Sequence, residues 1–194
     1  EQGRALRDGA PTWIAASTHE GEEDIVLAVH QTILKNVPQA RLILVPRHPQ
    51  RFDAVAKRIE RSGLRFARRS TGLPAPAQVW LGDSMGEMFV YFAASDVAFV
   101  GGSLAPIGGH NVLEPASLGV PVLFGPHMHN FVAARELLLE CNAATEVSDA
   151  KSLATAVTAL LTNPNHAQTM GDAGRAAVAA NRGALDRLWA ILQR

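Results

Sequence analysis

Little in this sequence points to a disulfide-rich, membrane-spanning or nucleic-acid-binding protein. A single cysteine, Cys141, excludes an internal disulfide framework and fits a reducing compartment. No apolar run approaches the roughly 18 residues that a membrane-spanning helix requires. Basic and acidic side chains balance at 18 each, so no overall field attracts the chain to nucleic acid. The chain also opens Glu1-Gln2-Gly3-Arg4 without an initiating methionine or a signal peptide, and we therefore expect a fragment of a longer protein.

The composition is that of a globular protein with a substantial core. The length of 194 residues suits one good-sized domain or two small ones, and 47% of the residues are hydrophobic. Disorder is excluded as the overall state, because it requires few apolar residues and a large net charge. We find no internal repeat and no linker, so we predict one domain over residues 1–194.

Short apolar runs alternate with longer amphipathic stretches along the chain. Several of these runs are apolar almost throughout, which is typical of strands that are buried on both faces of a parallel sheet. The predicted strands are Thr12–Ala16, Arg41–Val45, Val79–Leu81, Val97–Val100, Val120–Phe124 and Ala144–Val147. Their alternation with helices predicts an α/β fold: a Rossmann-like, doubly wound parallel sheet of about six strands with helices on both faces.

Helical periodicity is clearest in three segments between and after these strands. Apolar residues recur there at three- and four-residue intervals, as on one face of a helix. The three sets are Met85, Met88, Phe89 and Phe92; Leu153, Ala156, Val157, Leu160 and Leu161; and Leu185, Leu188, Trp189 and Leu192. We expect terminal helices from about Pro164 onward, packed on the domain or reaching toward a missing neighbour.

Ligands of open parallel sheets bind beyond the carboxyl ends of the strands, so the residues that follow each strand are the informative ones. After the first strand, Thr18 with Gly21 and Glu22 can form a capped helix N-terminus that holds an anion, although an ordinary helix cap explains the same residues. After the second strand, two prolines bracket Arg47 and His48 in a stiff loop. That loop suits a phosphate or carboxylate clamp, and a solvated arginine in a turn is the alternative.

Glycines gather after the fourth predicted strand, over residues 101–109. Such a run lets backbone approach a ligand closely and resembles a nest for phosphate oxygens, but the spacing fits neither a dinucleotide fingerprint nor a Walker loop. Asn111 and Glu114 follow at a three-residue interval on a predicted helix start with Pro115 in its first turn. A carboxylate there can accept hydrogen bonds from the two hydroxyls of a ribose, or simply answer the helix dipole.

Other reactive residues carry less information. His110, His127 and His129 lie near sheet-end loops where His19 and His48 can join them, but compact metal-ligand spacing is absent and we expect hydrogen bonding rather than metal binding. There is no G-x-S-x-G elbow for a serine nucleophile. Cys141 suits a helix end or the core. The basic stretch 57–69, opposed only by Glu60, fits a solvated helix face or a surface that meets anionic lipid.

Five segments together resemble the 3-deoxy-D-manno-octulosonic acid (Kdo) transferases of lipopolysaccharide synthesis. In order and over nearly the whole chain, they are Ser17-Thr18-His19-Glu20-Gly21-Glu22, Pro46-Arg47-His48-Pro49, Asp83-Ser84-Met85-Gly86-Glu87, Gly101-Gly102-Ser103-Leu104, and Gly108-Gly109-His110-Asn111 with Leu113-Glu114-Pro115. Ser84 stands where threonine is common in the family, and Met88 where leucine is common. The resemblance places the chain as the C-terminal, nucleotide-sugar half of a glycosyltransferase-B arrangement. The family's N-terminal half, with its membrane anchor, acceptor site and catalytic carboxylate, is missing.

The resemblance implies an inverting transfer of Kdo from CMP-Kdo to a lipid A precursor at the cytoplasmic face of the inner membrane, with no metal and no cofactor. This fragment alone would be soluble and inactive. By motif, Arg47 and His48 would contact CMP, with Arg47 on the phosphate, and residues 85–87 (Met85, Gly86 and Glu87) would line the cytosine pocket. Residues 111–114 (Asn111, Val112, Leu113 and Glu114) would complete the site, with Glu114 on the ribose. Ser17, Glu20 and Gly21 would face Kdo.

Two other functions remain open from the sequence. One is the donor half of a UDP-sugar glycosyltransferase, or a sugar-nucleotide epimerase, for which preference for UDP over CMP would be the sign. The other is a non-catalytic module whose crevice holds a nucleotide or a protein partner.

Overall fold

Seven short strands form one all-parallel sheet in the computed structural model, which describes residues 9–72 and 77–192, the stretch 182–192 by its backbone only. In chain order they are β1 (Thr12–Thr18), β2 (Arg41–Pro46), β3 (Phe66–Arg68), β4 (Val79–Leu81), β5 (Val97–Val100), β6 (Val122–Phe124) and β7 (Ala144–Glu146). Their order across the sheet is β3-β4-β2-β1-β5-β6-β7. Because β1 pairs with both β2 and β5, the chain reverses its direction of growth between β1 and β5, and a crevice opens there.

The doubly wound α/β fold is confirmed, and the strand count is one higher than the sequence predicted. The additional strand, β3, was missed because it is a three-residue edge strand that is only half-buried and ends on a cation, Arg68. Strand β6 begins at Val122 rather than Val120, because Pro121 has no N–H to donate to the ladder. β1 is two residues longer than predicted and ends at Thr18.

The helices cover both faces of the sheet. They are α1 (Glu22–Asn36), α2 (Phe52–Arg61), α3 (Met88–Ala93), α4 (Leu113–Ser117), α5 (Val132–Glu140), α6 (Ala150–Thr162) and α7 (Pro164–Leu192). Turns of 3₁₀ helix span Pro49–Arg51 and Arg69–Thr71. A single long helix, α7, replaces the several terminal helices expected from about Pro164, and the side chains of Leu185, Leu188, Trp189 and Leu192 lie outside the described residues. Within the described parts of the chain, no helix is both long and apolar enough to cross a bilayer.

Successive residues of β1 enter opposite layers of the core, as the two-residue period of a strand requires. Trp13 and Ala15 belong to the layer beneath α1, α2 and α6. Ile14 and Ala16 pack on the other face, with side chains of α3. A third cluster, on the carboxyl half of β5 and on β6, joins α4, α5 and α7 to the sheet. The three clusters fix the central strands, and with them the loops at their carboxyl ends.

The helical periodicity predicted from Met85 is wrong in part. Helix α3 begins only at Met88, because Gly86 adopts a φ of 78° and interrupts the turn before it. Met85 is 67% exposed and Phe89 is 53% exposed, whereas Phe92 is buried in the core. The periodicity predicted for α6 is confirmed, since Leu153, Val157, Leu160 and Leu161 are all buried.

Candidate functional site

A cleft of about 360 Å³ opens at the carboxyl edge of the central strands. This is within the roughly 300–1,000 Å³ range of small-molecule sites. The loops after β1, β2, β4 and β5 supply its polar lining. The lining includes Ser17, Arg47, Phe52, Ser84, Met85, Gly86, Tyr91, His110, Asn111, Glu114 and Phe131.

The floor of the cleft is shaped by an irregular end of β1. Ser17 adopts a φ of 55°, which is uncommon for a residue other than glycine, and the register with β2 shifts between Ala16 and Thr18. Gly101 lies directly opposite, where a Cβ atom would come within 2.8 Å of the Ser17 carbonyl oxygen. Glycine is therefore required at 101, because any side chain there would collide with the backbone of the neighbouring loop.

The glycine-rich loop after β5 is an anion-binding nest that the protein fills itself. Glu22 is buried at the start of α1, and one of its carboxylate oxygens accepts hydrogen bonds from the backbone N–H groups of His19 (3.0 Å) and Gly102 (2.7 Å). Its other oxygen accepts from the N–H groups of residues 103, 104 and 105, at 3.1, 3.1 and 3.3 Å. The interpretation of this loop as a phosphate nest is therefore wrong, since the carboxylate occupies the donors.

The expected capping of α1 by Thr18 is also wrong. The Thr18 hydroxyl donates to the Glu23 carboxylate at 3.1 Å, and the N-cap, Gly21, has a φ of 90° and no side-chain cap. Glu23 is completely buried and forms a two-pronged ion pair with Arg51, at 2.5 and 3.1 Å. Both acids at the start of α1 thus fasten the helix to neighbouring loops instead of leaving its N-terminus open to an anion.

Two histidines meet at the wall of the cleft. The Nε2 atoms of His19 and His110 lie 2.7 Å apart, and the two ring planes differ by 7°. Burial, with smaller effects of His19 and Arg47, lowers the pKa of His110 to about 4. Burial also lowers the pKa of His19, against the opposing effect of Glu22. A third ring, that of His48, contacts His19 edge-on at a centroid distance of 5.4 Å.

Arg47 is the principal positive group of the cleft. Its backbone N–H donates to the carbonyl of Thr18 at 3.0 Å, which fixes the loop after β2 to the end of β1. Its side chain is exposed at the rim, and within the described residues it forms no ion pair. A guanidinium with no protein counter-charge is suited to bind an anionic ligand.

The loop from Asp83 to Glu87 is held from below by two arginines. Arg68 donates to the buried Asp83 at 2.6 Å, and Ser70 adds bonds from its backbone and its hydroxyl. Burial raises the pKa of Asp83, but the bonds from Ser70 and Arg68 outweigh it, and the net pKa is lowered. Arg69 donates two hydrogen bonds to Glu87, at 3.2 and 2.8 Å, and these bonds lower the pKa of the Glu87 carboxyl group.

These ion pairs change the interpretation of the basic stretch 57–69. Only its first part is helical, in α2, while its second part runs through β3 into a 3₁₀ turn. Arg58 pairs with Asp24 and Glu20 on α1 and the loop before it. Arg58, Arg68 and Arg69 thus all form ion pairs within the protein, so the stretch is not one continuous solvated helix face.

Asn111 and Glu114 come together at the start of α4, as their spacing predicted. The Asn111 amide donates to Glu114 at 3.1 Å, while its carbonyl oxygen accepts from the backbone of Leu113 at 3.0 Å. Asn111 therefore binds the backbone of the first residue of α4 and orients Glu114 at the same time, although the N-cap itself is Val112. The other carboxylate oxygen of Glu114 accepts no hydrogen bond among the described residues, and Glu114 lines the cleft.

Of the predicted site residues, half gather around the cleft: Ser17, Arg47, Met85, Gly86, Asn111 and Glu114. The others lie beside it or beneath it. Glu87 contacts Arg69, Ser84 and Tyr91. Val112 is buried in the core, and Leu113 packs against the same cluster. His48 contacts His19, Glu20 is 80% exposed near Arg58, and Gly21 is the N-cap of α1.

The sequence interpretation expected that His19 could lie near His110 but not that the two rings are hydrogen-bonded, and it missed the lining roles of Phe52, Tyr91 and Phe131. One signal was present for the histidines, because His19 follows β1 and His110 lies in the loop after β5, its neighbour in the sheet. For the aromatic residues the sequence offers no comparable signal. Among the described residues, no three His, Cys, Asp or Glu side chains are arranged to hold a metal ion.

Two curated relatives resemble the chain over most of its length. The 3-deoxy-D-manno-octulosonic acid transferase of Haemophilus influenzae is 47% identical over 94% of this chain and 44% of its own length. The enzyme of the same name from Bordetella pertussis is 41% identical over 92% of this chain and 43% of its own length. The chain thus spans less than half the length of these relatives. No protein-family model matches it.

A solved structure resembles the chain over most of its length. The crystal structure of the C-terminal CMP-Kdo binding domain of WaaA from Acinetobacter baumannii is 35% identical, with a TM-score of 0.86. The match covers 91% of this chain and 96% of that one. Sequence and fold therefore agree over the same residues.

Proposed function

Because this chain belongs to the family of the 3-deoxy-D-manno-octulosonic acid (Kdo) transferases, we propose that its cleft binds CMP-Kdo as the donor of an inverting Kdo transfer. The observation that carries this proposal is that one cleft is lined both by Arg47, which forms no ion pair among the described residues, and by the hydrogen-bonded pair of Asn111 and Glu114. A nucleoside monophosphate presents a phosphate anion and a ribose diol, and the cleft offers a cation and a carboxylate to match them.

Arg47 carries the leaving-group chemistry in this proposal. Negative charge builds on the CMP phosphate as the bond to the sugar breaks, and a preorganised guanidinium stabilises that charge. His48, which follows Arg47 in the same loop, contacts the nucleotide beside it. No metal is required, because the cation that such a reaction needs is already present in a side chain.

Glu114 holds the ribose, and the loop after β4 selects the base. The free oxygen of Glu114 accepts hydrogen bonds from the ribose hydroxyls, while Asn111 keeps the carboxylate in place. Met85 and Gly86 present backbone groups to cytosine, and Glu87 fixes their loop through Arg69. Val112 and Leu113 act through their backbone, since their side chains pack into the core.

The sugar and acceptor chemistry belongs to the proposal as well. Ser17 lies at the end of β1, Glu20 and Gly21 lie in the turn after it, and all three face the Kdo part of the donor. The catalytic base, the lipid A precursor as acceptor and the contact with the inner-membrane surface fall to the remainder of the longer protein. The names of the relatives support the transfer of Kdo, and the match to less than half of their length supports a further domain. The lipid A precursor, the membrane contact and the base are assigned from the family resemblance, and the balanced charge of the chain gives no reason to add nucleic acid.

Calorimetric titration with CMP, UMP and AMP tests the nucleotide assignment. We expect CMP to bind tightest, because cytosine offers an amino donor where uracil has a carbonyl acceptor, and a backbone carbonyl in residues 85–87 would reject the latter. Equal or tighter binding of UMP would favour a UDP-sugar donor site instead. Absence of any nucleotide binding would leave the cleft to a protein partner.

A further inference from the structure

The short contact between the rings of His19 and His110 requires a hydrogen on one of the two facing nitrogens. At 2.7 Å, one Nε2 must carry a hydrogen and the other must accept it. The ring centroids lie 5.0 Å apart with the planes at 7°, so the rings meet edge to edge, with the hydrogen bond in both ring planes. This arrangement admits a neutral pair or a pair that holds one added proton, and it excludes two cations.

The charges around the pair set the balance between these two forms. Glu22 and Glu23 face it from α1, but the carboxylate of Glu22 is engaged by backbone N–H groups and that of Glu23 by Arg51. Arg47, His48 and Arg51 face it from the loop after β2. Both acids are already engaged, and Arg47 forms no ion pair among the described residues, so the charges of the protein favour the neutral pair.

We propose that His19 and His110 form a proton-sharing pair that binds an oxyanion of the nucleotide-sugar ligand and takes up one proton as it does so. An anion bound against His110 neutralises Arg47 and stabilises positive charge on the rings. The proton comes from solvent, the pair changes from neutral to singly positive, and the anion keeps its charge. This inference rests on the proposed function only for the identity of the ligand.

Two groups of CMP-Kdo can supply the oxyanion, namely the phosphate and the sugar carboxylate. Arg47 lines the same cleft as His110 and can bind either one. Titrations with cytidine, CMP and free Kdo separate them, because these ligands carry respectively neither group, the phosphate alone and the carboxylate alone.

The test is calorimetry at pH 7 in buffers that differ in ionisation enthalpy, which counts the protons taken up on binding. For wild type, we expect uptake approaching about one proton with CMP or with Kdo, and none with cytidine. His19→Gln and His110→Gln should each abolish this uptake and weaken binding of the anionic ligand about tenfold, the loss expected if the pKa of the pair in the complex lies about one unit above the pH of the experiment. His166→Gln, on the exposed surface of α7, is the matched control and should behave as wild type.

The outcomes separate this inference from the proposed function. Suppose that CMP binds selectively, but that neither CMP nor Kdo binding is accompanied by proton uptake, or that the uptake survives in both pair variants. Either result overturns the proton-sharing pair and leaves the nucleotide site intact. Failure of wild type to bind CMP overturns the proposed function. In that case, NMR titration of the histidine ring signals with inorganic phosphate decides: midpoints of His19 and His110 that rise support the pair, and midpoints that stay unmoved refute it. His30, enclosed in the core between Trp13 and the carbonyl of Gln78, provides a ring that no ligand reaches.

Discussion

Two loops at the same edge of the sheet offer anion-binding chemistry, and the protein uses them differently. The loop after β5 directs successive backbone N–H groups into one nest, and Glu22 fills it from within. The loop after β2 presents Arg47 to the open cleft, where it forms no ion pair with any of the described residues. The donors of the first loop are already satisfied by the protein, whereas the cation of the second loop is available to a ligand.

The difference shows that a donor-rich segment is not a ligand site until its own acceptors are counted. Buried donors must be satisfied, and a nest can be satisfied by a side chain as well as by a phosphate. By filling the nest, Glu22 fixes the loop that carries His110 against the end of β1 and the Ser17 turn. The internal anion therefore shapes the wall of the cleft in which we place the external one.

The largest effect is expected from Glu22→Ala. The substitution leaves the N–H donors of residues 102–105 without their acceptor, and bonds to a charged group contribute about 1.5–3 kcal/mol each, although not additively. We expect a loss of about 4 kcal/mol or more in the free energy of unfolding, measured by denaturant titration.

The control for this prediction is Glu20→Ala, an exposed carboxylate in the same turn, which should change stability by less than about 0.5 kcal/mol. A Glu22 variant as stable as wild type would show that the nest stays satisfied by water. The comparison between a filled and an open loop would then fail.

Arg47→Ala tests the other half of the comparison. Since the side chain has no ion pair among the described residues, its removal should leave the unfolding free energy nearly unchanged. CMP affinity should fall about 10- to 100-fold, because a charge-assisted bond to phosphate contributes about 1.5–3 kcal/mol. Arg61→Ala, which removes an exposed arginine of α2, is the matched control in the same calorimetric titration. Unchanged CMP affinity in the Arg47 variant would remove the observation on which the nucleotide assignment depends.

Glu114→Ala separates a ribose contact from a helix-start carboxylate. Two hydrogen bonds to the ribose exceed the roughly 1.4 kcal/mol that changes affinity tenfold, so CMP binding should weaken at least tenfold. A carboxylate that served only the dipole of α4 would contribute about 0.3–1 kcal/mol to stability and nothing to binding. Thermal melting and CMP titration on the same variant distinguish the two, with Glu140→Ala at the end of α5 as the control. A lower melting temperature with unchanged affinity would return Glu114 to a structural role.

The sequence predicted the fold better than it predicted the details of the site. Apolar runs and helical periods gave the doubly wound sheet, because burial on both faces leaves a strong local pattern. The position of Arg47 and the Asn111–Glu114 pair also followed from local order, since each lies directly after a strand or at a helix start. The binding of Glu22 by the glycine-rich loop could not be predicted in this way. The two lie about 80 residues apart in the chain, and only the pairing of β1 with β5 brings them together. The edge strand β3 was missed because Arg68 at its end and Arg69 in the turn after it resemble a solvated surface until their acidic partners, Asp83 and Glu87, are placed.

The smallest effect is expected where a second arginine holds a loop without entering the cleft. Arg69 binds Glu87 at 2.8 Å, and both side chains are about one-third exposed, at 32% and 28%. Pairs as exposed as this contribute little to stability, so Arg69→Gln should change the free energy of unfolding by less than about 1 kcal/mol. Its consequence should lie in selectivity, because residues 85–87 lose the anchor that sets their backbone. We expect CMP affinity to fall about threefold and the preference of CMP over UMP to narrow, with UMP affinity unchanged. Arg65→Gln, an exposed position just before β3, should alter neither affinity. An equal loss for both nucleotides in the Arg69 variant would mean that the loop supports the cleft as a whole and does not select the base.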